Sequence, residues 1–137
     1  MMWSDEYSVG VEVIDEQHKH FFDIASRISQ DALKPSLTKE GLEGLLGELG
    51  DYALYHLDTE EKYFDTLHYE EADAHKKAHD EFRETVGAYL EQIKDKDDEG
   101  ARKFAQDIAL YAADWLKAHI LTVDKRYTKF FHEHGLS

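Results

Sequence analysis

Residues 38–67 have the sequence TKEGLEGLLGELGDYALYHLDTEEKYFDTL, in which apolar side chains recur at steps of three and four. This spacing is that of one face of an α-helix, so the stretch predicts a long amphipathic helix. Thr38 is suited to cap its N-terminus, and Glu40 in the first turn complements the helix dipole. The predicted inner face consists of Leu42, Leu45, Leu49, Tyr52, His56, Glu60, Tyr63 and Leu67.

Three further segments have the same helical spacing. The first starts near Asp15 and ends before Pro35, another follows a polar break at residues 68–73, and the last follows the charged run 95–100. A single proline and many helix-favouring residues indicate an all-helical chain. Their predicted inner faces are, in turn, Ile14, His18, Phe21, Ala25 and Ile28; His75, His79, Phe82, Val86, Tyr89 and Ile93; and Phe104, Ile108, Tyr111, Trp115 and His119.

Four amphipathic helices with mostly short connections predict an all-α fold, an antiparallel up-down-up-down four-helix bundle. We expect one domain over residues 1–137. It would consist of an N-terminal arm at 1–14, the bundle at about 15–122, and a C-terminal segment at 123–137 that forms a short helix or a tail. The charged run 95–100 is interpreted as a solvated turn.

The composition excludes several classes of function. There are no cysteines, which excludes disulfides, thiolate metal sites, iron–sulfur clusters and thiol catalysis. The net charge of −14 opposes binding to nucleic acid and to anionic membranes, since both need basic patches. No apolar run has the length of a membrane span, and the N-terminus lacks the features of a signal peptide. We therefore expect a cytoplasmic protein or domain that binds neither nucleic acid nor membrane.

Five of the nine histidines lie on the predicted inner faces. A single buried histidine is usually a core imidazole with a hydrogen-bond partner, but five without partners would cost roughly 1–3 kcal/mol each. A shared metal site explains all five together. They are His18, His56, His75, His79 and His119, whereas His20, His68, His132 and His134 lie off these faces or in the breaks and the tail.

The local spacings support ligation by nitrogen and oxygen. His75 and His79 are four residues apart, so their rings lie on the same side of a helix and can bind one ion. A lysine follows His75 at the position where a zinc protease has a glutamate. Glu60 repeats the four-residue step from His56, and a carboxylate on an inner face needs a cation.

Asp124 is a candidate with two interpretations. Five residues of ideal helix rotate a side chain by about 140° beyond a full turn. His119 and Asp124 therefore cannot both face inward from one regular helix. Either Asp124 is a surface residue, or the helix unwinds between the two positions.

Counting donor atoms predicts the number of metal ions. Five imidazoles give one bond each and two bridging carboxylates give two each, whereas two octahedral ions need about twelve positions. An oxygen bridge derived from solvent supplies two more, which leaves one open coordination position. Ligation of this kind suits iron, manganese or cobalt, and iron is favoured because reversible two-electron chemistry with dioxygen needs a redox pair.

The same residues resemble the hemerythrin family, and in particular its bacterial branch. The opening Trp3-Ser4-Asp5-Glu6-Tyr7-Ser8-Val9-Gly10, followed by Ile14-Asp15-Glu16-Gln17-His18, is similar to the N-terminal signature of that family. Further matches are His56-x-x-x-Glu60, His75-x-x-x-His79 and Trp115-Leu116-Lys117-Ala118-His119-x-x-x-x-Asp124. The match covers essentially the whole chain, with the seven ligand positions in the expected order.

The resemblance implies a diiron centre that cycles between Fe2+ and Fe3+ and has an oxo or hydroxo bridge. In that family dioxygen binds reversibly at the iron with the open position and is held there as a peroxide. Such a carrier is not an enzyme. By the resemblance, His75, His79 and His119 complete one iron, His18 and His56 bind the open iron, and Glu60 and Asp124 bridge the two.

Several roles stay open at this point. The chain is a dioxygen-binding protein for storage, delivery or sensing, a sensing domain of a larger chemotaxis or regulatory protein, or a diiron enzyme acting on peroxide or nitric oxide. No Glu-x-x-His motif occurs, which counts against an oxygen-activating ferritin-like enzyme. Asp15 is expected either to cap the first helix or to accept a hydrogen bond from a ligand. Candidates for a dry wall around the site are Phe21, Phe22, Trp115 and Ile120.

Overall fold

The computed structural model describes residues 3–137, and between them it contains five α-helices, three short 3-10 helices and no β-strand. The first two residues of the predicted arm lie outside this range. None of the helices in the described range is long and apolar enough to cross a membrane. The α-helices are α1 (Glu12–Ala32), α2 (Lys39–Leu67), α3 (Ala72–Gln92), α4 (Asp98–Thr122) and α5 (Thr128–Glu133), and the 3-10 helices are Asp5–Tyr7, Ile93–Asp95 and Asp124–Tyr127.

Helices α1 to α4 form the predicted antiparallel bundle. α1 packs against α2 and α4, and α2 also packs against α3. The Nε2 atoms of His18, near the start of α1, and His56, in the second half of α2, are 3.0 Å apart. Those of His75, near the start of α3, and His119, near the end of α4, are 3.1 Å apart. Successive helices therefore run in opposite directions, and all four histidines lie at one end of the bundle.

The helix boundaries follow the predicted signals, with one correction. Thr38 caps α2, because its Oγ1 accepts a hydrogen bond from the Gly41 amide at 3.0 Å. α2 ends at Leu67, after which His68 takes a left-handed conformation with φ of 61°. The charged run 95–100 is not a turn throughout, since the Asp97 side chain caps α4 and helix begins at the next residue.

Residues 3–14 of the predicted arm are fastened to the bundle by hydrogen bonds. α1 begins at Glu12, a turn earlier than the predicted start near Asp15. The Asp15 carboxylate accepts hydrogen bonds from Ser8 Oγ at 2.6 Å and from the Val9 amide at 2.8 Å. Asp15 therefore neither caps α1 nor receives a hydrogen bond from His18, whose Nδ1 has no partner within residues 3–137.

All five residues of the predicted inner face of α1 are buried, which confirms that face. On α2, the buried side is rotated about the helix axis relative to the predicted one. On α3 and α4, Tyr89, Tyr111 and Trp115 pack against the core but are only partly buried. On α2, Leu42, Leu49, His56 and Glu60 are buried as predicted. Leu45, Tyr52, Tyr63 and Leu67 are only partly buried, and the fully inward positions between them belong to Leu46, Ala53, Leu57 and Phe64.

The C-terminal segment is part of the core. After α4, the chain turns through Asp124–Tyr127 into α5. Tyr127 and Phe131 have no exposed surface. The Thr128 hydroxyl donates a hydrogen bond of 2.7 Å to the Val9 carbonyl, so the segment also holds the N-terminal arm. Of the two predicted forms, helix and tail, the short helix is the correct one.

Candidate metal centre

All seven predicted site residues lie together at one end of the bundle, and each is at most 5% exposed. The four histidines predicted to lie elsewhere are exposed. Burial therefore separates the two sets of histidines as the helical spacing does. The seven are His18 on α1, His56 and Glu60 on α2, His75 and His79 on α3, His119 on α4, and Asp124 in the 3-10 helix that follows α4.

Five of these residues form one group of converging donor atoms, all within 4.8 Å of one another. His119 Nε2 lies 3.1 Å from His75 Nε2 and 3.2 Å from His79 Nε2. Asp124 Oδ1 is 2.9 Å from the Nε2 atoms of both His75 and His119. Glu60 Oε1 completes the set, 3.6 Å from His79 Nε2. We call these residues the five-donor group.

A second group of four donors, His18, His56, Glu60 and Asp124, adjoins the first and meets the same 4.8 Å limit. The two Nε2 atoms are 3.0 Å apart. Glu60 Oε1 is 3.0 Å from His56 Nε2, and Asp124 Oδ2 is 3.3 Å from His18 Nε2. We call these residues the four-donor group. Both carboxylates belong to both groups, and Asp124 turns a different oxygen toward each.

The lone pairs in the centre indicate what kind of ligand it fits. The ionised Glu61 carboxylate only accepts hydrogen bonds, so His79 Nδ1, 2.7 Å away, must be the donor, and Nε2 of the neutral ring carries a lone pair. That lone pair faces other donor atoms. The four oxygens of Glu60 and Asp124 are buried and accept no hydrogen bond within residues 3–137. Cations placed between electron pairs buried in this way would stabilise them.

The spacing of the donors favours octahedral ions. Neighbouring donors at about 2.1 Å from an ion are about 3.0 Å apart in an octahedron and about 3.4 Å apart in a tetrahedron. Most of the close contacts here lie between 2.9 and 3.3 Å. Imidazole and carboxylate donors without thiolates suit iron, manganese or cobalt. The residues therefore fit two such ions that share two carboxylates.

Asp124 enters the centre through a break in the helix, which decides between its two interpretations. α4 ends at Thr122, and Val123 has φ of −117° and ψ of −55°, outside regular helical geometry. The Thr122 hydroxyl donates a hydrogen bond of 2.7 Å to the Ala118 carbonyl, a contact that competes with the backbone ladder. The chain then enters the 3-10 helix, and Asp124 is fully buried.

Gln17 and Glu61, which contact the site residues, were not predicted from the sequence. Gln17 is buried; its Oε1 accepts a hydrogen bond from His56 Nδ1 at 2.7 Å, and its Nε2 donates to Thr59 Oγ1 at 3.3 Å. Glu61 Oε2 accepts from His79 Nδ1 at 2.7 Å. Each adjoins a predicted site residue in the sequence, which is the one signal that could have suggested them.

The predicted apolar wall is present in part. Trp115 stacks on His119 with ring centroids 4.4 Å apart and planes 11° apart. Phe21 meets His56 edge-on at 6.4 Å, and Ile120 is fully buried. Phe22 is buried too, but it packs against Tyr7 of the N-terminal arm.

The charges of the centre keep both carboxylates ionised. Burial and the charge of Asp124 raise the pKa of Glu60, but His56 and His79 outweigh them and lower this pKa below its ordinary value. Burial also raises the pKa of Asp124, and the surrounding imidazoles, His119 above all, bring it well below the usual value. In the opposite sense, burial lowers the pKa of His119, but Asp124 and Glu60 raise it above its ordinary value. Protons and a metal ion bound in this centre would therefore compete for the His119 imidazole.

Comparison with known proteins connects this centre to one family. Residues 9–131 match the family model of the hemerythrin HHE cation binding domain. A bacteriohemerythrin from Clostridium acetobutylicum is 30% identical over 129 residues, covering 92% of this chain and 97% of that protein. One from Methylococcus capsulatus is 31% identical and covers 93% of each. A myohemerythrin from Theromyzon tessulatum is 31% identical, covering 91% of this chain and 88% of its own.

The fold agrees with the sequence comparison. A crystal structure of wild-type hemerythrin superposes with a TM-score of 0.83 at 26% identity, covering 94% of this chain and 95% of that one. The matched region extends from the N-terminal arm into α5, and so includes every residue of both donor groups. This chain belongs to the hemerythrin family.

Proposed function

We propose that this chain binds dioxygen reversibly at two iron ions, one in each donor group. The observation that carries the proposal is the unequal pair of buried groups, which share Glu60 and Asp124 but have five donors on one side and four on the other. Two ions with equal needs would then differ by one coordination position. A small ligand such as dioxygen would bind at the ion with fewer protein donors.

Each residue has a role in this proposal. His75, His79 and His119 hold the more completely coordinated iron, and His18 and His56 hold the other. Glu60 and Asp124 belong to both groups, so each would supply a carboxylate to both ions. Bound iron supplies paired one-electron redox centres, which is the chemistry that reversible binding of dioxygen needs.

The donor set favours release of dioxygen over its activation. Five neutral imidazoles and two carboxylates bring little negative charge, so they stabilise high-valent iron less than a carboxylate-rich site does. The rings of Trp115 and Phe21 border the centre on two sides, and their apolar surfaces would limit the access of water that delivers protons. A bound ligand would therefore leave as it arrived.

The proposal extends to the role and the extent of the chain. We propose that residues 1–137 act as one hemerythrin-like domain that stores, delivers or senses dioxygen and is not an enzyme. Bacteriohemerythrins and a myohemerythrin match more than nine-tenths of this chain, which supports a single domain of this extent. Their membership of the hemerythrin family supports the dioxygen-binding role.

The test is reversible spectroscopy on protein loaded anaerobically with ferrous iron. We expect two iron ions per chain, one for each donor group. A visible absorption band should form on admitting air, disappear under vacuum and return on the next exposure. His119→Ala should lose one or both irons, and the exposed His20→Ala should behave as wild type.

Two results would contradict the proposal. If His119→Ala kept both irons and an unchanged spectrum, His119 would not be a ligand. If the band bleached without recovering while peroxide or nitric oxide was consumed steadily, the chain would be a diiron enzyme instead.

A further inference from the structure

A group of charged side chains at the surface is hydrogen-bonded to His79, a member of the five-donor group. Glu61 Oε2 accepts a hydrogen bond of 2.7 Å from His79 Nδ1 and another of 2.7 Å from Arg83 Nη2. Both donors thus use the same oxygen atom. The side chains of Glu61 and Arg83 are 19% and 22% exposed, so this contact is partly screened from solvent.

The guanidinium of Arg83 is held in place by three carboxylates. Besides Glu61, its Nη2 lies 3.1 Å from Asp58 Oδ1, and its Nη1 lies 2.9 Å from Asp80 Oδ1. Asp58 and Glu61 are on α2, whereas Asp80 and Arg83 are on α3. The cation therefore has a defined position relative to Glu61, between the two helices that carry three of the histidines.

The four-donor group has no such charge behind it. His56 Nδ1 donates to the neutral amide oxygen of Gln17, whose NH₂ donates to Thr59 Oγ1. The Thr59 hydroxyl in turn donates to the Tyr55 carbonyl at 2.8 Å. Because the hydroxyl proton is used there, Thr59 can only accept from Gln17, which fixes the orientation of the amide. His18 Nδ1 has no partner in the described chain.

A hydrogen bond from Nδ1–H to an anion makes the other ring nitrogen a stronger donor to metal. A cation bound to the same anion reduces this effect, because it draws charge from the shared oxygen. We propose that Arg83 is a positioning residue that acts through Glu61 to limit the donor strength of His79, and so sets the metal affinity and the redox potential of the five-donor group. This inference rests on the ligand set of the proposed function.

The test compares Glu61→Gln, Arg83→Gln and the double variant by titrating metal-free protein with Co2+ and following the visible absorption. Glu61→Gln should weaken binding about tenfold. Arg83→Gln should shift the affinity in the opposite direction, because the full charge of Glu61 then acts on His79. The double variant should equal Glu61→Gln, because Arg83 has no effect without its intermediary.

The iron-loaded protein gives a second readout. The midpoint potential should rise in Glu61→Gln, since ferric iron loses a strong donor, and fall in Arg83→Gln. Arg83→Lys keeps the cation and should restore values near those of wild type. The matched control is Arg27→Gln, which removes an exposed arginine from its pair with Glu48, between α1 and α2, and should change neither quantity.

A purely structural role predicts a different pattern. If Glu61→Gln and Arg83→Gln both weakened Co2+ binding, or shifted the potential in the same direction, the inference would be wrong. It would also be wrong if Arg83→Gln changed the Co2+ affinity of Glu61→Gln by as much as it changes that of the wild-type chain. If the two single variants shift the Co2+ affinity in opposite directions but the protein binds no dioxygen, only the proposed function is contradicted. If both single variants shift the Co2+ affinity in the same direction and the protein binds dioxygen reversibly, only this inference is contradicted.

Discussion

Replacing Gln17 by methionine tests whether its amide holds His56 in the orientation that metal binding needs. The side chain is 5% exposed, and its oxygen is 2.7 Å from His56 Nδ1. Methionine is unbranched and of similar size, so it fills the same space without providing an acceptor. The variant therefore removes the hydrogen bond from His56 and the longer one of 3.3 Å that Gln17 donates to Thr59 Oγ1, but little packing.

The size of the effect follows from the cost of the unpaired His56 N–H and, separately, from the known effect of hydrogen bonds to metal-binding imidazoles. A buried N–H without an acceptor costs about 1–3 kcal/mol. In the metal-free chain the proton of His56 can move to Nε2, 3.0 Å from Glu60 Oε1, whereas a bound ion occupies Nε2 and keeps the proton on Nδ1, so the cost is expressed as lost affinity. Loss of such a hydrogen bond behind a ligand typically weakens metal binding about 10–100-fold. This corresponds to about 1.4–2.8 kcal/mol, which agrees with the cost of the unpaired N–H.

The assay is a Co2+ titration of metal-free Gln17→Met, in which the step that fills the four-donor group should weaken at least about tenfold. The thermal midpoint of the metal-free chain should fall by only about 4–8 °C, the equivalent of one to two ordinary hydrogen bonds. Gln30→Met makes the same change at an exposed position of α1 and should leave both values unchanged. Wild-type affinity in Gln17→Met would refute the reasoning, because His56 would then need no acceptor.

Two further predictions concern protons and packing. Burial lowers the pKa of His119, but the charge of Asp124 outweighs it and raises this pKa above the ordinary value. Co2+ affinity should therefore fall as pH decreases through the raised pKa, by up to about tenfold per pH unit for one competing proton, and a titration series that shows constant affinity would contradict this. Phe131→Ala should lower the free energy of unfolding by about 3–5 kcal/mol in urea, because the ring is fully buried and stacks on Tyr127 with centroids 4.4 Å apart. The partly buried Phe130→Ala is its control, and equal losses would contradict the reasoning.

The bundle and the identity of the inward histidines could be predicted because they depend on local sequence. Helical spacing fixes which side of a helix a residue occupies, and short connections make neighbouring helices antiparallel. His75 and His79 illustrate this, since a four-residue step on one helix leaves their rings 4.6 Å apart. Caps are equally local, and Thr38 acts as predicted.

The rotation of α2 could not be predicted in the same way. Its predicted and observed inner faces share Leu42, Leu49, His56 and Glu60, and differ only in the positions on either side. Both faces satisfy steps of three and four. Tyrosines such as Tyr52 pack their rings while their hydroxyls reach water, so hydropathy does not distinguish the centre of a face from its edge. α2 packs against both α1 and α3, and the sequence of α2 alone holds no information on how those two helices contact it.

The hydrogen bonds to the Nδ1 atoms of His56 and His79 depend on pairs of helices and have no local signal in the sequence. Glu61 is one of many acidic residues on a helix, and it is special only because α3 brings His79 and Arg83 to the same oxygen. Gln17 depends in the same way on the position of α2 beside α1. Residues of this kind become visible once the relative positions of the helices are known.

Asp124 explains why the segment after α4 belongs to the site. A side chain on a regular helix faces one way, but Asp124 lies within 3.3 Å of imidazoles from α1, α3 and α4. This is possible because the chain leaves the helix at Val123 and turns across the end of the bundle. The same turn carries Tyr127, whose ring stacks on His75 at 5.7 Å, and Phe131 packs on Tyr127 in turn. The position of a shared carboxylate therefore depends on the packing of α5, so loss of the Phe131 ring should weaken metal binding as well as folding.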